Sequence, residues 1–175
     1  MYKLREIEKK DLVVINSWRN DVDLISCLGA TFRYINIDVD LKWFDNYMAN
    51  RSNSVRCAVV EKDNDDILGL VSLVSIDHIN QSAEFHIMIG NQEKQGKGIG
   101  TFAVKAMLDH AFNNLNLHRI ELTVLEDNKR AQHVYEKCGF VKEGVRRKAK
   151  YKNGKFVDMY VYSVLKEEYE GNIRR

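Results

Sequence analysis

"GNQEKQGKGIG" (Gly90–Gly100) follows the apolar run "FHIMI" (Phe85–Ile89) and leads into a stretch with helical periodicity. Four glycines, two glutamines and two lysines fall in that loop. A glycine-rich turn between a strand and a helix lets a backbone approach something closely. Loop N–H groups and a helix N-terminus then converge on one point, which suits a phosphate. Three phosphate-binding patterns compete here. A P-loop, G-x-x-x-x-G-K-[ST], fails twice: its second glycine falls on Gln95, and Lys97 is followed by Gly98. The dinucleotide fingerprint G-x-G-x-x-G fits Gly96 and Gly98 but ends on Thr101. The pattern Q-x-x-G-x-G is satisfied by Gln95, Gly98 and Gly100, with Lys94 and Lys97 at its rim. On its own this pattern also describes a merely structural turn.

Outward from the loop, period-2 and period-3.6 patterns set the element order. "YKLREI" alternates as a first strand, and "KDLVVINSWRN" reads as a short helix with Asp11 as a cap. Asp38 opens "VDLKWFDNYMAN", a second helix with Leu41, Phe44, Tyr47 and Met48 on one side. "SVRCAVVEK" and "DILGLVSLVSI" are strands joined by the turn "DNDD", and "SAEFHIMIG" is the strand that enters the glycine loop. After the loop, Ala103, Val104, Met107, Leu108, Ala111, Phe112 and Leu115 form one apolar stripe. "RIELTVL" is a strand and "NKRAQHVYEKC" a helix stopped by Gly139. An Asn-Gly turn in "KNGK" closes a final hairpin of "VKEGVRRKAKY" and "FVDMYVYSVL". The order β-α-α-β-β-β-α-β-α-β-β predicts an α+β fold: a mixed, mostly antiparallel central sheet of about seven strands with about four helices. No linker or repeat divides it, so residues 1–175 read as a single domain.

Composition narrows the class. The chain is 45% hydrophobic and 30% charged, with net charge +2, a balance too even to imply nucleic acid. Seven Lys or Arg against Glu143 and Asp158 between Val141 and Tyr160 make one basic hairpin, a solvated surface or a seat for a phosphate-bearing partner. That stretch lacks the interleaved aromatics of a single-strand platform. No apolar run reaches the roughly 20 residues of a membrane helix, and the charged start is unlike a signal peptide. Three cysteines without short spacing point away from a disulfide framework and towards the cytoplasm. His78, His110, His118 and His133 show no metal-ligand spacing, and no H-E-x-x-H, paired C-x-x-C or G-x-S-x-G occurs.

A second motif lies 28 residues beyond Gly100: Asn128 at a strand end, Tyr135 within a helix, then Gly139 and Phe140. Ala131, Val134, Tyr135 and Cys138 share a helix face, so Tyr135 also reads as a core aromatic with its hydroxyl at the edge. Together, Q-x-x-G-x-G opening a helix and N-x-x-A-x-x-x-Y-E-K-x-G-F after the next strand resemble the GNAT N-acetyltransferase superfamily. "LREIEKKDL…WRN" and "VDMYVYSVLKEEY" are similar to the branch of ribosomal-protein N-terminal, spermidine and nucleotide-linked amino-sugar acetyltransferases.

The resemblance implies an acetyl-CoA-dependent N-acetyltransferase, with acetyl-CoA as co-substrate and no metal. Gln95, Gly96, Lys97, Gly98, Ile99 and Gly100 would take the pyrophosphate. Met88 and Ile89 would hold the pantetheine arm through open backbone groups, an N–H near Met88 would polarise the thioester, and Asn128 would touch the arm. Tyr135 would protonate the leaving sulfur. Glu84, which alternates with His86 and Met88 on one strand face, resembles the family's strand carboxylate base. The acceptor is a primary amine. Arg19, Arg33, Tyr34 and His86, with Trp43 and the basic hairpin, suit a nucleotide-linked amino sugar. That reading stands slightly ahead of a polyamine, because "SCLGATFRYINI" carries no carboxylate, and of a protein N-terminus. A non-catalytic coenzyme-A-binding or nucleic-acid-binding module is the reading from another class. At family level a homodimer is expected.

Overall fold

The computed structural model describes residues 1–90 and 96–173. Seven strands form one sheet in the order β1-β2-β3-β4-β5-β7-β6. They are β1 (Tyr2–Glu6), β2 (Val55–Glu61), β3 (Ile67–Asp77), β4 (Ser82–Ile89), β5 (Arg119–Leu125), β6 (Val141–Lys152) and β7 (Lys155–Leu165). Every neighbouring pair is antiparallel except β4 with β5. The helices are α1 (Leu12–Arg19), α2 (Val22–Ser26), α3 (Ile37–Ala49), α4 (Ile99–Asp109), α5 (Lys129–Lys137) and α6 (Lys166–Ile173). This is the α+β arrangement expected, with α2 and α6 added to it. α2 has only five residues, and α6 is built mostly of charged and polar residues, so neither shows a periodic apolar stripe.

Period-2 alternation sends the two sides of each strand to different layers. Ala58, Val60, Leu70 and Met88 face α1 and α3, where Leu12, Ile15, Trp18, Phe44 and Tyr47 complete a core. Val59, Val71, Phe85 and Leu122 face α4, whose Ala103, Val104, Met107 and Leu108 are fully buried. Past Asp109 the helix widens into a π-helical turn, His110–Asn114. The Asn-Gly turn of the last hairpin has both residues at positive φ, Asn153 at 50° and Gly154 at 81°. That backbone matches the right-handed twist of the two strands it joins.

Two helix starts differ from expectation. Asp11 stands at the N-cap position of α1, but its side chain makes no capping hydrogen bond there. Its carboxylate accepts from the Glu8 amide at 2.8 Å and pairs with the Arg5 guanidinium at 2.7 Å. The turn that Asp11 closes is therefore the 3₁₀ turn of Lys9–Asp11 ahead of the helix. Likewise α3 opens at Asn36, whose side chain accepts from Val39 N, so Asp38 sits in the first turn rather than at the cap. A carboxylate is favourable at either place, which is why sequence shifts such boundaries by a residue or two.

Candidate active site

The β4–β5 pairing covers only Ser82–Glu84 against Arg119–Glu121. Beyond Glu84 the two parallel strands have no paired residues, and a gap opens on the way to the glycine loop. Gly90 donates to Leu68 O at 3.0 Å, and β3 pairs with β4 without interruption from Gly69↔Ile89 to Val74↔Glu84. Alternation then directs the amides of Met88 and His86 to β3, and those of Ile87 and Ile89 towards the gap. The expectation for Met88 is corrected by one residue: its N–H belongs to the sheet, and Ile87 presents its backbone instead. The side chain of Met88 still lines the cavity.

At the end of that gap α4 begins. Gly98 is its N-cap with φ +83°, and Phe102 N returns to Gly98 O at 2.9 Å. The left-handed backbone explains the glycine, because any Cβ is strained there; no atom of the described residues would obstruct one. The amides of Ile99, Gly100 and Thr101 precede the first intrahelical bond and find no partner among the described residues, a ready anion seat. Gly90 is glycine for another reason: a Cβ would lie 1.9 Å from the Trp18 indole. Gly96 and Lys97 lie in the described turn before α4, whereas Gln95 lies outside the described residues.

A cavity of about 470 Å³ runs from this gap to α1 and α3. Its floor is the α1-side face of the sheet, where Glu84, His86 and Met88 alternate along β4. Glu84 Oε1 and His86 Nε2 are 3.0 Å apart, so the sequence's candidate base and its candidate acceptor contact form one pair. Tyr135 on α5 reaches the wall, packed edge-to-face on Phe85 with ring centroids 6.4 Å apart. It is 8% exposed, and burial pushes its phenol well above the usual range, with the nearby Cys138 adding to the shift. The hydroxyl therefore stays protonated at neutral pH. Asn128 lines the cavity too, but both ends of its amide are engaged: Oδ1 caps α5 through Ala131 N at 3.0 Å, and Nδ2 donates to Cys27 O at 2.9 Å.

Above the floor sits the segment after α2. Lys152 Nζ, from the tip of β6, donates to the carbonyls of Ile25 and Ala30 at 2.8 and 2.7 Å. Asn20 holds Ile35 at both its N–H and its C=O. Arg19 lines the cavity as expected, yet its guanidinium is bound to the fully buried Asp40, which also accepts from Asn16 Nδ2 at 2.7 Å. Arg33 and Tyr34 are not brought in. Both are exposed, Tyr34 by 88%, against Phe32 rather than the cavity.

Arg56 and Ser72 are site residues that the sequence reading passed over. One signal was available: in "SVRCAVV" an arginine occupies the face that otherwise carries Ala58 and Val60. Among the described residues no His, Cys, Asp or Glu cluster could hold a metal ion, and no helix is long and apolar enough to cross a membrane.

An open strand edge, a helix N-terminus behind a glycine turn and a buried phenol between them define an acyl-coenzyme-A-dependent acyltransferase. The model of the GNAT acetyltransferase domain matches residues 2–141, and the chain belongs to that family. Spermidine N(1)-acetyltransferase of Vibrio cholerae is 35% identical over 166 residues, 95% of this chain and 94% of that protein. The structure of the Vibrio cholerae spermidine N-acetyltransferase with CoA and spermine superposes with TM-score 0.90 at 32% identity, covering 97% of this chain and 98% of that one. A dodecameric structure of the same enzyme gives TM-score 0.84 at 30% identity, over 98% and 97% of the two chains. This protein is an acetyl-CoA-dependent N-acetyltransferase.

Proposed function

We propose that the chain transfers an acetyl group to the primary amine of a small molecule bound over Glu84 and His86. One observation carries this reading: a single cavity joins the open β4 edge and Tyr135 to that carboxylate–imidazole pair. Its volume suits a small ligand. The bound coenzyme supplies the activated acetyl thioester. The open amides of α4, with Gly96, Lys97 and Gln95, take its phosphates, and Ile87 and Ile89 line its arm.

The pair Glu84–His86 receives the proton of the incoming ammonium, directly or through one water, since an amine attacks only when neutral. The amide of Ile87 is directed to polarise the acyl carbonyl. Tyr135 gives its proton to the sulfur as the C–S bond breaks. A buried phenol is a poorer acid than a free thiol, so this transfer is concerted with cleavage rather than prior to it.

For the acceptor, the comparisons support a polyamine better than the amino sugar that the sequence reading placed first. Relatives matched over nearly the whole chain are named for spermidine. The amino-sugar reading keeps one specific support, the cations Arg19, Arg56 and Lys150 on the cavity wall against the single carboxylate Glu84. A homo-oligomer is the assembly we expect, tested by light scattering.

The test is thiol release from acetyl-CoA with spermidine, spermine, a nucleotide-linked amino sugar and short peptides, beside thermal shift with the coenzyme alone. Stabilisation by the coenzyme and turnover of one amine class are expected. Absence of stabilisation at saturating coenzyme would overturn the seat at α4.

A further inference from the structure

The guanidinium of Arg56 makes no hydrogen bond and no ion pair with any described residue, and its Nε is fully buried. No other buried side-chain nitrogen or oxygen among the described residues is left in this condition. Aromatic rings fix its place: the guanidinium carbon lies 5.1 Å from the Trp43 ring centroid and 5.7 Å from that of Tyr47. Stacking of this kind orients a guanidinium without satisfying its N–H groups. The adjacent Arg19 shows the contrast, since Asp40 answers its charge. Arg56 as a whole is only half-buried, and a partly desolvated cation with no counter-charge favours an anionic partner.

That partner's place is set by the sheet. Arg56 is paired with Ser72 across β2–β3, and Ser72 with His86 across β3–β4. All three line the cavity on one face. Two strand spacings, about 10 Å, separate the Cα atoms of Arg56 and His86. A small molecule whose amine sits at Glu84 and His86 therefore reaches Arg56 with its other end. The charged groups around that end are Arg19 with Asp40 from α1 and α3, Glu84 and His86 from β4, and Lys150 from β6. Among the described residues lining the cavity, only Glu84 offers a negative charge not already bound to an arginine.

We infer that Arg56 is an anion-binding residue of the acceptor site, and that the acceptor is a primary amine carrying a phosphate or carboxylate, not a polycation. The inference rests on the reading of this cavity as the acceptor pocket of an N-acetyltransferase, and narrows it. Arg56 fits that anion better than a lysine would, because its planar fork binds two oxygens at once while the rings hold its plane.

The experiment is titration calorimetry on protein saturated with CoA, so that the seat at α4 is filled. Inorganic pyrophosphate, malonate and spermine are the probes, and the variants are Arg56→Met, Arg56→Lys and the exposed control Arg33→Gln. Arg56→Met matches the apolar packing of the stem without leaving a buried polar group, and circular dichroism with CoA affinity verifies its fold. Arg56→Lys keeps the charge should the first variant fail to fold.

The expected result is anion binding to the unmodified protein, weakened at least tenfold by Arg56→Met, partly kept by Arg56→Lys and unchanged by Arg33→Gln. Preference for pyrophosphate marks a phosphate-bearing acceptor, and preference for malonate a carboxylate. Spermine should bind more tightly to Arg56→Met than to the unmodified protein. Absence of anion binding, or binding indifferent to Arg56, overturns the inference and returns the acceptor to the polyamines with acetyl transfer intact. Absence of CoA binding would overturn the acetyltransferase reading as well.

Discussion

The two proposed seats are built from different material. The seat proposed for the coenzyme is mostly backbone: the divergence of β4 from β5 after Glu84, the positive φ of Gly98 and the first amides of α4. The proposed acceptor end, in the cavity, is mostly side chains, Arg19, Trp43, Arg56, Glu84 and His86, drawn from α1, α3, β2 and β4. Backbone chemistry is the same in every chain, so the first end is constrained by a few glycines and a strand–helix order. Side-chain chemistry differs from chain to chain at equal fold. A TM-score of 0.90 therefore says more about what binds at α4 than about what binds at Arg56.

Substitutions can break this contrast or sharpen it. The largest effect belongs to the buried pair of the acceptor end. Asp40→Asn leaves the guanidinium of Arg19 without its counter-charge and is expected to cost about 3 kcal/mol of folding stability. A fall in thermal midpoint with CoA affinity per folded molecule retained would keep the two ends separable; equal loss of both would merge them.

Next comes Tyr135→Phe, at the junction of the ends. Removing the donor should lower kcat by roughly 100-fold or more, about 2.7 kcal/mol, with little change in KM for acetyl-CoA. Steady-state kinetics decide it, and an unchanged kcat in a folded variant would make Tyr135 a packing residue only.

Smaller still is Gly98→Ala. A methyl group meets no atom of the described residues there, so the effect is the strain of a left-handed residue, about 1–2 kcal/mol. It should raise KM for acetyl-CoA about tenfold and spare kcat. A matching loss in kcat would show that the turn also shapes the reacting end.

The smallest effect lies outside both ends, at Glu143. Hydrogen bonds from Arg119 at 2.6 Å and from Ser163 at 2.7 Å hold its carboxyl down at about 2. A depressed carboxyl contributes stability that is complete above its unfolded value near ~4.3 and is lost as pH falls towards the folded one. The side chain is 41% exposed, so screening limits the contribution to about 1 kcal/mol or less. Glu143→Gln should flatten acid denaturation between those pH values and leave CoA binding untouched. An identical acid profile in the variant would remove Glu143 from the account.

Legibility followed the same division. Gly98 at the head of α4 and the Asn-Gly turn of the last hairpin stand where the pattern put them, because each is a local backbone requirement. Asn128 was expected at a strand end and stands three residues past β5, as the N-cap of α5, and its amide also depends on Cys27, a residue 101 positions away. Met88 was missed by one residue because the hydrogen-bonding phase of β4 is set by Leu68 across the sheet, not by β4 itself. Arg33 and Tyr34 matched an expected composition and ended on the surface. Arg56 matched no motif, since its significance is the lack of a carboxylate in reach, and no local pattern displays that.

The sequence alone determined the α+β order and the turn at Gly98, because periodicity and positive-φ turns are properties of neighbours along the chain, and it carried the motifs by which the chain resembles the acetyltransferase family. The tertiary structure alone decided which arginine Asp40 neutralises, which backbone amides face the gap, and that Arg56 stands between two rings without a counter-charge. Those are contacts between segments far apart in sequence, fixed when the α1–α3 layer closes over one face of the sheet.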